Sequence, residues 1–203
     1  MTEDAAVRSS YKNSADFGAV LSAAVFAKRP LQRIAEYGIL DGFSLDILER
    51  CSPPDAIVEA RDIFDDFKGH YARPAFLRHR FGKSEKVQVM HGDFYEAQAV
   101  LQDGAYDLIH VDIANTGSVY EAAEQLVSKL APGGLILLEG GTEHRDQVPW
   151  MREHHKAPMA PVVARWREEG QLEVQVLGEF PGLTVIRPAP QLSGNVLRRL
   201  ASD

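Results

Sequence analysis

Two apolar stretches decide the fold: Tyr-Asp-Leu-Ile-His-Val-Asp at residues 106–112 and Gly-Leu-Ile-Leu-Leu-Glu at residues 134–139. Each is a nearly continuous apolar run that ends in a carboxylate, Asp112 in the first and Glu139 in the second. Such runs are typical of parallel strands, because helices cover both faces of a parallel sheet. Between them, residues 118–130 carry apolar side chains at intervals of three and four, which predicts an amphipathic helix. This order of strand, helix and strand indicates a parallel α/β unit.

The same alternation extends over most of the chain. The parallel strands are predicted at residues 33–37, 55–60, 86–90, 106–111 and 134–138. Helices are predicted at residues 14–27, 44–50, 64–81 and 118–130. In the third helix, Pro74 must interrupt or restart the turns, because proline has no N–H and clashes with the preceding turn. In the last helix, Ser118 and Glu121 predict a capping box at the N-terminus.

The C-terminal part departs from the alternation. Residues 172–180 and 183–187 are β-rich and flank Pro181-Gly182, which predicts an antiparallel hairpin at the sheet edge. We therefore expect a doubly wound, mostly parallel seven-stranded α/β sheet that ends in this hairpin. A chain of this length is expected to form one domain. Its expected parts are an N-terminal helical segment at residues 1–30, a Rossmann-like core at 31–188 and a tail at 189–203.

Composition and charge exclude several classes of protein. With 45% apolar and 25% charged residues, the chain has the composition of a globular protein. A formal charge of -7 without a basic cluster argues against a nucleic-acid partner. The apolar stretch at residues 17–27 is shorter than a bilayer span of about 20 residues. We expect it to cover the domain's own sheet or a second subunit, as in a homodimer. The single cysteine, Cys51, favours a cytoplasmic location.

Candidate binding residues follow the predicted strands, because ligands of open α/β sheets bind beyond the carboxyl ends of the strands. The first strand leads into the pattern Glu36-x-Gly38-x-x-x-Gly42-x-Ser44. Its glycines would allow a ligand to lie against the backbone. Asp62 follows the second strand and is expected either to bind ribose hydroxyls or to cap the next helix. No G-x-G-x-x-G fingerprint is present, so a nicotinamide dehydrogenase is a weak alternative.

Taken in order, the residues at the strand ends resemble those of class I S-adenosylmethionine (SAM)-dependent methyltransferases. The segments that carry the resemblance are residues 36–44, Asp62, His91-Gly92-Asp93-Phe94, 106–112 and 130–139. The resemblance implies the fold described above, with a reversed last strand, and SAM as the cofactor. It also implies the cofactor-binding residues: Glu36, Gly38, Gly42 and Ser44 for the amino-acid end, Asp62 for the ribose, Asp93 and Phe94 for the adenine, and Asp112.

The nearest likeness is to the catechol and caffeoyl-coenzyme A O-methyltransferases and to metal-dependent antibiotic-sugar methyltransferases. In those enzymes, acids that end the fourth and fifth strands bind a divalent cation. Asp112 and Glu139 match two ligand positions, whereas Gly140 stands at the third and offers no side chain. Two routes therefore stay open. Either Asp112 and Glu139 bind Mg²⁺, or Asp112, His110 or His144 removes the acceptor proton without a metal.

The resemblance implies methyl transfer to a hydroxyl of a small molecule, with natural-product or sugar acceptors as the nearest cases. The alternative is a SAM-binding fold with a non-methylating role, such as a lyase, a hydroxylase or a silent subunit. The missing acid at position 140 motivates this alternative.

Overall fold

The structure is a computed structural model that describes residues 17–28, 30–65 and 72–190. Its strands are β1 (Arg33–Tyr37), β2 (Ile57–Asp62), β3 (Val87–His91), β4 (Tyr106–Val111), β5 (Leu130–Glu139), β6 (Leu172–Leu177) and β7 (Leu183–Pro188). They form one sheet in the order β3-β2-β1-β4-β5-β7-β6. The first five strands are parallel, and β7 runs antiparallel to both β5 and β6. The predicted fold class is confirmed, and the strand order reverses between β1 and β4.

Helices cover both faces of this sheet. They are α1 (Phe17–Lys28), α2 (Phe43–Cys51), α3 (Pro74–Phe81), α4 (Ala97–Val100), α5 (Gly117–Glu124), α6 (Glu143–Asp146), α7 (Pro149–Glu153) and α8 (Ala160–Glu169). Apolar side chains of α1, α2 and α3 form the core on one face, and those of α4, α5, α7 and α8 form the core on the other. Among the helices of the described ranges, none has both the length and the apolar character that a bilayer crossing needs.

The N-terminal helix packs against the domain's own sheet. Leu21 and Val25 of α1 are fully buried in one core with Ile34 of β1 and Leu108 of β4. This contact agrees with the first of the two alternatives for the apolar N-terminal segment, that it covers the domain's own sheet. The homodimer stays a prediction. Residues 14–16 of the predicted first helix, and residues 191–203 of the predicted tail, lie outside the described residues.

The structure revises two predictions about helix starts. The predicted restart at Pro74 is confirmed, because α3 begins there and the missing N–H of proline costs nothing at the first helical position. Residues 63–65 are not helical, and residues 66–71 of the predicted helix lie outside the described residues. Phe64 instead has a φ of 57°, so the chain turns directly after β2. The predicted capping box of Ser118 is also absent. Thr116 caps α5, because its Oγ1 accepts a 3.4 Å hydrogen bond from Val119 N.

The helix α8 was not predicted from the sequence, although its Val163 and Trp166 are buried. Its N-terminus is held by Asp146, a residue of the preceding segment. Asp146 Oδ1 accepts from Met159 N at 2.8 Å, and Oδ2 accepts from Ala160 N at 2.9 Å. The capping residue is 14 positions upstream of Ala160, so no local sequence pattern marks this helix start.

Candidate active site

Backbone hydrogen bonds tie the carboxyl ends of the parallel strands into one edge. These bonds run from Gly38 N to Arg61 O (2.9 Å), from Asp112 N to Tyr37 O (2.9 Å) and from Gly92 N to Asp62 O (3.1 Å). They continue the parallel ladders one residue beyond the strands. Gly38, Asp62 and Asp112 are thereby brought to the same edge, with Asp93 directly after Gly92. The edge lies where the strand order reverses, which is the ligand-binding position of open α/β sheets.

The Asp62 carboxylate organises the loop between β1 and α2. Its Oδ2 accepts a 2.8 Å hydrogen bond from Ile39 N in that loop, and its Oδ1 accepts a 2.8 Å bond from Phe64 N. The expectation that Asp62 caps a following helix is wrong, because residues 63–65, directly after it, are not helical. Each carboxylate oxygen has a second lone-pair position, so Asp62 can still accept hydrogen bonds from ligand hydroxyls.

The two glycines of this loop are required by the protein's own packing. Gly38 has a φ of 89°, and a Cβ there would lie 2.0 Å from the backbone oxygen of Asp112. Gly42 has a φ of 74°, and a Cβ there would lie 2.6 Å from the ring of Phe81. The two glycines let β1 approach β4 and α2 approach α3. That they also leave room for a ligand stays a prediction.

A buried polar cluster lies beneath the loop. Ser44 Oγ donates a 2.5 Å hydrogen bond to Glu36 Oε1, and His110 Nδ1 lies 3.0 Å from the same oxygen. Glu36 and His110 are register partners on β1 and β4, and both side chains are fully buried. Glu36 Oε2 is also buried and has no hydrogen-bond partner among the described residues. Because buried polar atoms are nearly always paired, this oxygen marks a place for a further donor.

The end of β3 presents a backbone turn and an exposed ring. Asp93 Oδ1 accepts a 2.9 Å hydrogen bond from Tyr95 N and so caps the short 3-10 helix Phe94–Glu96. The Phe94 side chain is only 4% exposed and packs edge-on against Tyr37, at 5.6 Å between ring centroids. It therefore belongs to the core. The neighbouring Tyr95 is 61% exposed.

An exposed apolar side chain stands at the end of β2 as well. Ile63, directly after Asp62, is 45% exposed. Sequence reasoning missed both Ile63 and Tyr95 as candidate ligand contacts. The available signal was their position, since each comes within two residues of an acid at a strand end.

Asp112 directly follows β4 and Glu139 is the last residue of β5, and the residues before them, Val111 and Leu138, are register partners. The side-chain amide of Asn115 joins the two ends, donating to Val111 O at 2.8 Å and to Glu139 O at 2.9 Å. Burial, and then the nearby Asp112 carboxylate, raise the pKa of Glu139 to about 7, while Arg145 opposes that rise. The two acids are thus close enough to repel each other.

Arg145 binds the Glu139 carboxylate through two nitrogens. Its Nε lies 2.8 Å from Oε1, and its Nη2 lies 3.3 Å from Oε2. The Glu139 side chain is 2% exposed and that of Arg145 is 12% exposed. A two-bond pair of this kind is among the strongest side-chain hydrogen bonds in proteins. Both oxygens of the acid that ends β5 are therefore engaged by an internal cation.

A family model described as a methyltransferase domain matches residues 35–139, just over half of the 203 residues. The chain belongs to this methyltransferase family. The match begins in β1, ends at Glu139 and so contains the whole edge described above. It confirms the resemblance to class I methyltransferases and decides against the nicotinamide dehydrogenase alternative. No curated protein is similar enough to this methyltransferase to count as a relative.

Solved structures of similar fold include a methyltransferase of Podospora anserina, PaMTH1, with S-adenosylhomocysteine (SAH) bound. It is 20% identical, with 87% of this chain and 80% of that chain covered and a TM-score of 0.64. The O-methyltransferase TomG of Streptomyces achromogenes, in complex with SAM, is 16% identical, with 93% and 92% covered and a TM-score of 0.62. A methyltransferase of Geobacter sulfurreducens is 16% identical, with 87% and 80% covered and a TM-score of 0.61.

The methyltransferase's donor set does not fit a divalent-cation site. Both oxygens of Glu139 bind Arg145, and position 140 has no side chain. A Cβ at Gly140 would lie 2.7 Å from Met159 Sδ and 3.3 Å from Arg145 Cγ, so other side chains fill the space of a third acid. Within the described ranges, no group of three or more His, Cys, Asp or Glu side chains is placed to hold a metal ion.

The two candidate histidines occupy different environments. His110 is fully buried and contacts Glu36, whereas His144 is exposed on α6. Asp112 is half-buried at the strand edge. Of the three candidate bases, Asp112 is therefore the one that combines a position on the edge with partial access.

Proposed function

We propose that this methyltransferase transfers the methyl group of SAM to a hydroxyl group of a small molecule, such as a natural product or a sugar. The observation that carries the proposal is the single edge on which Gly38, Asp62 and Asp112 converge within the family-matched residues. The bound SAM and SAH of the two structural neighbours support the choice of cofactor.

The proposed cofactor position follows the polar groups of the edge. Glu36 Oε2 is the acceptor for the cofactor's amino group, since it is the unpaired oxygen of the cluster. The N-terminus of α2 has no side-chain cap, so its backbone N–H groups can hold the carboxylate. Asp62 binds the ribose hydroxyls. Ile63 and Tyr95 offer apolar surface to the adenine, and Asp93 with the Phe94 backbone offers polar groups.

The chain's contribution to the reaction is positioning and proton removal. When bound, SAM supplies a methyl group on a positively charged sulfur. Holding the acceptor oxygen in line with that methyl group can account for about 7–11 kcal/mol of the barrier. Asp112 is the proposed base because its carboxylate lies at the edge. His110 holds the Glu36 carboxylate in position, with its Nδ1 3.0 Å from Glu36 Oε1.

The test is calorimetric titration of the purified protein with SAM and SAH. We expect both to bind, and we expect Glu36→Gln to weaken SAH binding about tenfold or more, because the variant removes a buried charge that faces the amino group. Glu168→Gln, on the exposed surface of α8, is the matched control and should bind SAH as the wild type does. If the wild type binds neither SAM nor SAH, the proposal is refuted.

The non-methylating alternative is kept because position 140 lacks the acid of the resembled enzymes. The alternative would be favoured if the protein binds SAH but produces no SAH from SAM. The acceptors to be tested are a panel of phenols, catechols and sugars. Formation of SAH together with a methylated product would favour the O-methyltransferase. The cytoplasmic location stays a prediction that depends on Cys51.

A further inference from the structure

One nitrogen of Arg145 is not used by the pair with Glu139. Nη1 is buried and has no hydrogen-bond partner among the described residues. The guanidinium is charged, because arginine stays protonated in proteins. The donors on its Nη1 are still available. A buried donor of this kind is costly unless a ligand or a water binds it.

Arg145 is also held in place by its surroundings. Thr142 Oγ1 accepts from Arg145 N at 3.1 Å and lies 3.4 Å from Pro181 O, to which it donates. Gly140 N donates to Gly182 O at 2.8 Å, so the loop that follows β5 is braced against the β6–β7 hairpin. The Arg145 stem fills the space beside Gly140. A charged donor fixed in this way needs no reorganisation when an oxygen anion binds it.

We propose that Arg145 is the fixed cation of the acceptor site, in the place that a divalent metal has in the resembled enzymes, and that its Nη1 binds the acceptor oxygen. This inference rests on the proposed function. Methyl transfer would then be independent of metal. Arg145 is then a specificity-determining residue. The acceptor hydroxyls that bind to a guanidinium as anions differ from those that bind to a metal ion as anions.

The acceptor class follows from the size of the effect. An adjacent cation lowers the pKa of an acidic group by about 1–3 units. A phenol, with a pKa of about 10 as in tyrosine, is then brought to a pKa of about 7–9. An aliphatic hydroxyl titrates several units higher and remains protonated. The structure therefore favours a phenol over a sugar. The hydroxyl proton passes to Asp112, the phenolate oxygen bonds to the methyl carbon, and the electron pair of the broken carbon–sulfur bond stays on sulfur.

The first arm of the test measures directly whether the wild type binds a divalent metal ion, under conditions without methyl transfer. Free Mn²⁺ is followed by electron paramagnetic resonance while protein and SAH are added. We expect the Mn²⁺ signal to be unchanged. A stoichiometric loss of signal that Asp112→Asn abolishes would overturn the inference. Because SAH binding is measured separately, this result would leave the proposed function standing.

The second arm uses 4-nitrophenol, whose phenolate absorbs at a longer wavelength than the phenol, in the presence of saturating SAH. In the wild type, we expect binding to lower the probe's pKa by about one unit or more. Arg145→Lys should keep part of this shift, because it keeps the charge. Arg145→Gln should lose the shift and bind the phenolate about tenfold more weakly.

The matched control is Arg152→Gln, which changes an exposed arginine on α7 and should behave as the wild type. Each variant is first titrated with SAH, so that a folding defect is recognised. If Arg145→Gln does not fold, Arg145→Lys and the Mn²⁺ arm still decide. An equal shift of the probe's pKa in Arg145→Gln, or no binding of 4-nitrophenol to the wild type with SAH bound, would overturn the assignment.

Discussion

Asp62 holds the backbone of Ile39, 23 residues earlier in the chain, through a 2.8 Å hydrogen bond to its Oδ2. The loop after β1 is thereby fixed to the end of β2. A carboxylate that would bind a ribose thus also shapes the loop that would bind the rest of the cofactor. Binding and loop structure depend on the same side chain, and substitution there should affect both.

Asp62→Ala should therefore weaken SAH binding and lower stability together. The variant leaves Ile39 N and Phe64 N without their acceptor, and hydrogen bonds to a charged group are worth about 1.5–3 kcal/mol each. We expect a loss of about 3 kcal/mol or more in the free energy of unfolding and at least tenfold weaker SAH binding. Urea denaturation and calorimetry measure the two effects. Asp55→Ala, an exposed position before β2, serves as the control and should change neither. Unchanged SAH affinity in Asp62→Ala would contradict the ribose assignment.

A second prediction concerns the contact between β1 and β4 at Gly38. Gly38→Ala puts a Cβ 2.0 Å from Asp112 O at a φ of 89°, so both clash and strain oppose the fold. We expect a loss of more than about 2 kcal/mol in stability. Gly104→Ala has a similar positive φ of 65° but no atom within 4 Å of the new Cβ, so it should cost only the strain, about 1 kcal/mol. Equal losses in the two variants, measured by urea denaturation, would show that the clash is relieved.

The sequence predicted the edge of the sheet better than the loops around it. Asp62, Asp112 and Glu139 could be placed because apolar runs define the strands and the acids follow them directly. The partner of Glu139 could not be predicted. Arg145 lies six positions further on, in a segment without periodicity, and it reaches Glu139 only because two glycines turn the chain back. Local patterns carry no information about such a contact.

The capping residues show the same limit. Ser118 and Glu121 satisfy the sequence pattern of a capping box, yet the helix begins one residue earlier and uses Thr116. Thr116 and Ser118 both have a hydroxyl, so the sequence pattern alone does not choose between them as the capping residue. The choice depends on where the loop after β4 ends, and packing against the segment that precedes α8 decides that: Gly117 approaches Pro158 so closely that a Cβ at position 117 would lie 2.4 Å from Pro158 O.

Glu139 should make stability depend on pH. Its pKa is about 7 in the folded protein, mainly because of burial, against 4.5 for an ordinary glutamate. Between these pH values the folded state binds more protons than the unfolded chain. The contribution of Glu139 is therefore fully present below pH 4.5 and is lost as the pH rises through 7. Glu139→Gln removes this titration, so the wild type should lose stability relative to the variant over that range.

Urea denaturation at several pH values between 4.5 and 8 gives the difference between the wild type and Glu139→Gln. Glu168→Gln, which changes an exposed glutamate, should differ from the wild type by the same amount at every pH. If the curves of Glu139→Gln and the wild type run parallel, the carboxyl of Glu139 is ionised throughout and the pair with Arg145 prevails over burial.

The last prediction concerns Asp146, which caps α8 from a distance. Both of its oxygens accept backbone hydrogen bonds, from Met159 N and from Ala160 N. Asp146→Ala should cost about 1–2 kcal/mol of stability, the usual value of a helix cap. Asp146→Asn keeps one acceptor oxygen and should lose less. Glu143→Ala, an exposed position on the same short helix, is the control and should be neutral within about 0.5 kcal/mol.

Because Met159 lies against Gly140, loss of the cap that Asp146 provides should also loosen the Arg145 site. We therefore expect Asp146→Ala, but not Glu143→Ala, to weaken 4-nitrophenol binding while SAH binding is kept. Loss of SAH binding together with 4-nitrophenol binding would mean that α8 supports the whole edge rather than the acceptor side alone.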